Sequence, residues 1–331
     1  MSFIDAEIRT MPLSLTSCRK QAEEFLNGFG LRLDTLEYYA GMFSGEKMIA
    51  GGGFDGSVIK CIAADESFRG EGLIGTLMTH LRQQLRELGR NHCFVFTKPE
   101  NEEIFRSLAF YTVGRAAKAI LLDSDRAGVS RFCERTRAFD GPAAAIVMNC
   151  NPFTLGHLRL VEHAAAECEA LYVLVVEEER SFFPFRDRLA MAEKACAHLK
   201  NVAVRPGGPY IISAATFPSY FIKEMSEVSR TYAELDADIF ARRIAPALDI
   251  TARYAGEEPL DPLTALYNGV MSERLPPAGV QVRVIPRLCS GDEPISASRV
   301  RRLLGEGRLE ECRPLLPESS FEHIHGMEAR A

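Results

Sequence analysis

The sequence predicts an α/β protein of two domains, a mixed α+β domain followed by one built on a parallel sheet. Three observations predict it. At 331 residues the chain is longer than one ordinary hydrophobic core requires. From position 143 onward, short apolar runs alternate with helical patterns, as expected for strands covered by helices on both faces. Before about position 123, strand-like runs follow one another closely and are joined by turn residues.

The chain up to about Ser14 reads as an arm leading into the strand-rich region. Arg19 to Phe29 has helical spacing, with Ala22, Phe25 and Leu26 on one side. Glu37–Phe43 and Met48–Gly52 form a strand pair around Ser44-Gly45-Glu46, and Val58–Ala64 is a further strand. The stretch Arg69-Gly70-Glu71-Gly72-Leu73-Ile74-Gly75 opens a helix with Leu73, Leu77, Leu81, Leu85 and Leu88 inward and Gly89 as its stop. Cys93–Thr97 reads as a strand, Glu103–Leu108 as a short helix, and Phe110 to Gly114 leads into another strand. Asp123–Pro142 is polar, lacks a long apolar period, and reads as a connector with room for a short helix.

In the second domain the strands are Ala143–Asn149, Leu171–Val176, Val202–Val204, Ile250–Ala255 and Val282–Ile285. Helices fall at 156–169, about 186–199, within 216–247 and at about 262–274. The segment 205–247 exceeds an ordinary crossover. Its aromatics, among them Tyr210, Phe217, Tyr220, Phe221 and Phe240, fit a core by the usual burial habits. An insertion at a crevice lip fits a second-substrate pocket instead, and both readings stand.

A net charge of −6 argues against an electrostatic nucleic-acid footprint. Nine cysteines are scattered singly, with no C-x-x-C pair, which is the pattern of a reducing compartment and not of a disulfide framework or a zinc site, and no metal ligands are expected from the chain. There is no signal-peptide pattern, and no apolar run approaches the ~20 residues that span a bilayer. A cytoplasmic protein without membrane partners is expected.

Two segments carry the chemistry. Met148-Asn149-Cys150-Asn151-Pro152-Phe153-Thr154-Leu155-Gly156-His157 links an apolar strand directly to a helix. The first N–H groups of a helix lack partners and the helix dipole adds partial positive charge, so phosphate oxygens bind there. Asn149, Asn151 and Gly156 in this turn are candidate nucleotide contacts. Thr154 and His157 are candidates to hydrogen-bond the charge that builds on an α-phosphate as pyrophosphate leaves. Alone, T-x-G-H also occurs by chance, with His157 an ordinary surface residue. The second segment, Ile295-Ser296-Ala297-Ser298-Arg299-Val300-Arg301, follows the last strand and starts a helix. Ser296 or Ser298 is a natural N-cap; the functional reading sets both hydroxyls and Arg301 against the β- and γ-phosphates, and the plain one leaves caps and a solvated basic face.

T-x-G-H after the first strand with I-S-x-S-x-x-R after the last resembles the nucleotidylyltransferase superfamily of the adenylyltransferases. Ala297 and Ser298 depart from its commoner I-S-S-T-x-x-R form. The resemblance implies a Rossmann-like sheet of order 3-2-1-4-5, with a crevice between strands one and four. Gly256 and Glu257, in the loop after strand four, then face the same ligand from the opposite lip. Arg188, in an Asp187-Arg188 pair at a helix start, is a further phosphate candidate or a structural residue.

The first domain, through R-G-x-G between strand and helix, resembles the GCN5-related N-acetyltransferase fold over about residues 1–123. That family's loop wraps acyl-CoA pyrophosphate in the pattern R/Q-x-x-G-x-G/A, and here Ile74 stands at the last position. A scaffold or docking domain and an acetyltransferase both remain open.

Finally N-P-F-T-L-G-H, F-P-F-R-D-R, Y-I-I-S-A-A-T-F-P-S-Y-F and G-E-E-P-L-D-P-L-T-A-L-Y-N together resemble the citrate lyase ligase family over nearly the whole chain. This implies an acetyltransferase-like domain at 1–123, a linker at 124–142 and a nucleotidylyltransferase domain at 143–331. It implies ATP, with Mg²⁺ on the triphosphate, acetate as the acid, and an acyl carrier protein of citrate lyase bearing a phosphopantetheine-type thiol. AMP and pyrophosphate would leave. A carrier of the malonate decarboxylase type, adenylyl transfer to a phosphorylated acceptor, and CoA-dependent acetyl transfer are the alternatives.

Overall fold

A computed structural model describes residues 6–68, 70–178, 181–212, 217–222, 224–257, 261–286, 289–290 and 293–328. Arg69 of the R-G-x-G loop, Ser213 and Thr216, and Glu258 and Pro259 lie outside the described residues. The chain divides into two compact units, one of residues 1–128 with 218–231, the other of 129–217 with 232–331.

The first unit runs β1 (Glu7–Thr10), α1 (Thr16–Asn27), β2 (Tyr38–Ser44), β3 (Lys47–Asp55), β4 (Val58–Ala64), α2 (Leu73–Glu87), β5 (Phe94–Thr97), α3 (Glu102–Ser107), β6 (Tyr111–Arg115) and β7 (Ile120–Asp123). Its seven strands lie in the order β1-β2-β3-β4-β5-β7-β6. The β4–β5 pair is parallel and its neighbours antiparallel, so the sheet is mixed, as an α+β domain implies. The arm expected before Ser14 thus carries an edge strand on β2. Helix α2 buries Leu73, Leu77, Leu81 and Leu85 on the sheet. Leu88 differs from its expected inward place, because the helix ends at Glu87 and Leu88, past the last turn, is 58% exposed.

Sequence and close packing meet in the Gly51-Gly52-Gly53 run of β3. A Cβ on Gly53 would stand 2.2 Å from the carbonyl oxygen of Tyr38 on β2, and one on Gly52 2.2 Å from Ile62 Cδ1 on β4. A side chain at Gly53 would strike the backbone of β2 and push the strands apart, whereas one at Gly52 would require the end of the Ile62 side chain to shift.

Part of the long segment 205–247 belongs to this first unit. The backbone N–H of Arg32 donates to Tyr220 O at 2.9 Å, its guanidinium donates to Ser219 O and Ile222 O, and Tyr220 Oη donates to Phe96 O on β5 at 2.9 Å. Tyr220 and Phe221 are buried, which is the core reading of these aromatics.

The second unit contains most of α4 (Gly128–Thr136), then β8 (Ala143–Met148), α5 (Leu155–Glu167), β9 (Leu171–Val175), α6 (Phe185–Cys196) and β10 (Val202–Pro206). Helix α7 (Met225–Ile239) runs through the division at 231 and continues as one π-helical turn over Phe240–Ile244. After it come β11 (Ile250–Gly256), α8 (Pro262–Arg274), β12 (Gln281–Ile285), α9 (Ala297–Gly305) and α10 (Glu318–Glu328). The sheet order is β10-β9-β8-β11-β12, parallel throughout, which is the expected 3-2-1-4-5. Every residue of β9 is buried, as suits a strand covered on both faces. On one face Ile146, Met148 and Val173 pack with Val161 of α5, Met191 of α6, Val300 of α9 and Phe321 of α10.

The stretch read as a connector is ordered from α4 on. Phe132 packs on Tyr210, with ring centroids 5.6 Å apart, and Tyr172 Oη accepts from the backbone N–H of Ala138 and Phe139. Helix α10, absent from the expected elements, is tied down by His323 Nε2 at 2.9 Å from Asp187 Oδ1.

Replacing Gly53 with alanine tests the close approach in β3. Overpacking against backbone should lower stability by about 2 kcal/mol, whereas Gly326→Ala in α10, where a Cβ meets nothing within 4 Å, should be neutral or stabilising. Denaturant unfolding midpoints of the two variants check this.

Candidate active site

The strand order reverses beside β8, since its chain neighbours β9 and β11 lie on opposite sides, and the crevice outside the carboxyl ends of β8 and β11 is where such sheets bind ligands. The turn leaving β8 is sharply shaped. Cys150 is buried in the left-handed region at φ 54°, a conformation that disfavours side chains with a Cβ. Burial pushes its thiol well above the usual range, so it is a packing residue and not a nucleophile.

Arg188, fully buried at the start of α6, holds this turn from behind. Its Nη1 donates to Asn149 O at 2.5 Å, to Asn149 Oδ1 at 2.7 Å and to Val176 O at 2.9 Å. Its Nε donates to Phe183 O and its Nη2 to Glu178 O. The segments after β8 and β9 and the approach to α6 are thereby joined by one guanidinium. Arg188 does not line the crevice. Its hydrogen bonds to backbone carbonyls give it the geometry of a brace for the turn.

Thr154 is the N-cap of α5, and the cap is reciprocal. His157 N–H approaches Thr154 Oγ1 at 3.4 Å, while Thr154 N–H donates to His157 Nδ1 at 3.0 Å. A backbone N–H can only donate, so Nδ1 is the unprotonated nitrogen and the neutral ring carries its proton on Nε2. The imidazole is thus a fixed donor at the end of a helix dipole. At α9 the cap is Ser296, whose Oγ accepts from Arg299 N–H at 3.2 Å. The two helix starts touch: a Cβ on Gly156 would stand 3.4 Å from Ile295 O.

Together these ends line a cavity of about 770 Å³, the size class of small-molecule sites. Asn149, Thr154, Gly156 and His157 line it from the β8–α5 side, Gly256 and Glu257 from the opposite lip, and Ser296 and Ser298 from α9. The lip is fixed by Glu257 N–H donating to Ile285 O and by Asn268 Nδ2 donating to Gly256 O. Arg301 and Asn151 stand just behind, with Arg301 Nη1 on Asn151 O at 2.6 Å and Nη2 on Ser298 Oγ at 3.0 Å. Among the described residues no group of three His, Cys, Asp or Glu is placed to hold a metal ion.

Tyr232, Arg253 and Tyr267 line the same cavity; the sequence places the stretch that begins at Arg253 on the opposite lip but singles out none of the three as a site residue. The available signal was a charged residue inside the apolar run Ile250 to Ala255; Arg253 is only 2% exposed.

Comparison with known proteins decides the family. The profile of the citrate lyase ligase C-terminal domain matches residues 143–324. An Escherichia coli protein named [Citrate [pro-3S]-lyase] ligase is 40% identical over 323 residues, covering 93% of this chain and 91% of that one. The chain belongs to the citrate lyase ligase family. Relatives of the same name from Klebsiella pneumoniae and Haemophilus influenzae are 39% and 36% identical, covering 84% and 91% of this chain and 84% and 93% of theirs.

In this ligase, Arg188→Ala should lower unfolding stability by about 3 kcal/mol or more, because several buried carbonyls lose their donor. Arg188→Lys should recover little, as an ammonium lacks the planar fork. A midpoint in urea unchanged by either substitution would remove the brace from this account.

Proposed function

We propose that this ligase activates acetate with ATP and acetylates the phosphopantetheine-type thiol of the citrate lyase acyl carrier protein, releasing AMP and pyrophosphate. The observation that carries the reading is the junction of two capped helix N-termini on one nucleotide-sized cavity, in a chain alike along nearly its whole length to proteins named as that ligase. An oxygen of the acid attacks the α-phosphorus and the bond to pyrophosphate breaks, leaving an acyl adenylate. The carrier thiolate then attacks the acyl carbon, and AMP departs.

Thr154 and His157 are the proposed donors to the charge that grows on the phosphates, with His157 held in the tautomer that donates through Nε2. Ser296, Ser298 and Arg301 take the distal phosphates, and burial has already lowered the pKa of the Arg301 guanidinium. Asn149, Asn151, Gly156, Gly256 and Glu257 shape the nucleotide's surroundings. Mg²⁺ would arrive with the triphosphate, held largely by phosphate oxygens and water. No cysteine of the chain is needed. Burial raises the thiols of Cys61, Cys133 and Cys196, to about 12 at Cys61 and Cys196 and about 11 at Cys133, which suits unreactive core residues in a cytoplasmic protein. Among the described residues no helix is long and apolar enough to cross a membrane.

ATP–pyrophosphate exchange should depend on acetate. His157→Ala should slow it by about two to three orders of magnitude with much less change in ATP affinity; normal exchange in that variant would sink the proposed role. Arg301→Ala should raise the ATP dissociation constant about tenfold or more, measured by calorimetry. A panel of carrier proteins and short acids in the same assay identifies the acceptor and the acid.

A further inference from the structure

Besides the capped helix ends, the cavity is lined by a charged group on β11 that their capping chemistry does not account for. Arg253, on β11, is 2% exposed and its side chain reaches the cavity wall. Around it lie Ile212, Tyr232, Tyr267 and Met271, which are apolar or aromatic. Tyr232 and Tyr267 stack with centroids 5.7 Å apart. The guanidinium lies 4.4 Å over the ring of Phe240, in the π-helical turn after α7.

Arg253 is oriented but not saturated. Its Nη1 and Nη2 approach Asp236 Oδ2 at 3.5 and 3.4 Å, long for charge-assisted hydrogen bonds. Nη2 also donates to Tyr267 Oη at 2.6 Å, and Tyr267 Oη donates in turn to Asp236 Oδ2. Among the described residues these are the hydrogen bonds of the guanidinium, and they leave its Nε edge without one. Asp236 is fully buried and does not line the cavity, so it steadies the cation from the far side. A buried arginine that faces a small apolar chamber with a donor edge to spare matches a small anion with an apolar tail.

We infer that Arg253, positioned by Asp236 and Tyr267, holds the carboxylate of a short aliphatic acid, with Ile212, Tyr232 and Met271 around the acid's alkyl end. This rests on the acid-activating reading above and adds where the acid sits and what limits its length. Arg253 draws the carboxylate in and orients it, while the chamber walls exclude longer chains. Asp236 keeps the pair near neutral before the acid arrives, so the arginine is not a free cation that would capture phosphate instead.

The test uses the full chain and reads three quantities: the acetate KM and kcat in ATP–pyrophosphate exchange, the ATP dissociation constant by calorimetry, and the melting temperature. Arg253→Gln should raise the acetate KM about tenfold to a hundredfold, the loss expected for a charged hydrogen bond, with ATP affinity unchanged. Tyr267→Phe keeps the ring and removes the hydroxyl, so the acetate KM should rise severalfold with kcat and ATP affinity held. Met271→Ala should enlarge the chamber and raise the propionate-to-acetate ratio of kcat/KM about tenfold, the scale of one methylene. If Arg253→Gln does not fold, the latter two variants decide. An acetate KM unmoved in Tyr267→Phe, an unmoved acid preference in Met271→Ala, or ATP affinity falling in step with acetate affinity each overturns the inference. Failure of the parent reading is separate, since the unmodified ligase would then show no acid-dependent exchange.

Discussion

The candidate active site depends first on one buried cation. In parallel α/β sheets the strand ends are where backbone groups run out of ladder partners, and the loops there must find others. Arg188 supplies several at once, to Asn149, Val176, Glu178 and Phe183. Burying a guanidinium is costly unless its donors are matched, and here the match is with carbonyl oxygens converging from three places in the chain. The turn at Cys150 can therefore hold a left-handed conformation that an isolated peptide would avoid. The start of α5, and with it Thr154 and His157, inherits its position from that turn.

A second constraint is closeness. The start of α5 lies against the carbonyl of Ile295, one residue before the cap of α9: a Cβ on Gly156 would meet that oxygen in van der Waals contact, at 3.4 Å. Two helix dipoles then point into one volume. Each helix satisfies part of its own N-terminus with a hydroxyl cap, Thr154 in one and Ser296 in the other, and the remaining donors define where an anion is favoured. The site is preorganised by backbone geometry, with side chains added to it.

Much of this was legible because it is local. Apolar runs and turn residues located the five strands of the parallel sheet, and T-x-G-H with I-S-x-S-x-x-R located both helix starts. What escaped is what depends on convergence. Arg188 reads as a cation at a helix start, and nothing near it in sequence reveals the carbonyls that surround it. Arg253 reads as one charge in a strand, because Asp236 and Tyr267 are 17 and 14 residues away on helices whose placement is tertiary. Helix α10 shows few apolar positions, Phe321 and Ile324 being the buried ones, and its stability comes from packing on α6 and from the Asp187–His323 contact. Leu88 matched the helical period yet fell one residue beyond the last turn, the usual failure at an element's end.

The membership of residues 218–231 in the first unit bears on synthesis as well as on structure. A ribosome delivers the chain from one end, and a domain made only of residues 1–128 would finish while the rest was still unmade. This one cannot. The carbonyls of Ser219, Tyr220 and Ile222 that Arg32 engages, and the tyrosine that reaches Phe96, emerge about ninety residues after α4 begins. The strands β8, β9 and β10 of the second unit are on hand before the first is complete. The two units are thus interleaved in time, and the order in which they reach their final form is set by connectivity and not by their order in the gene.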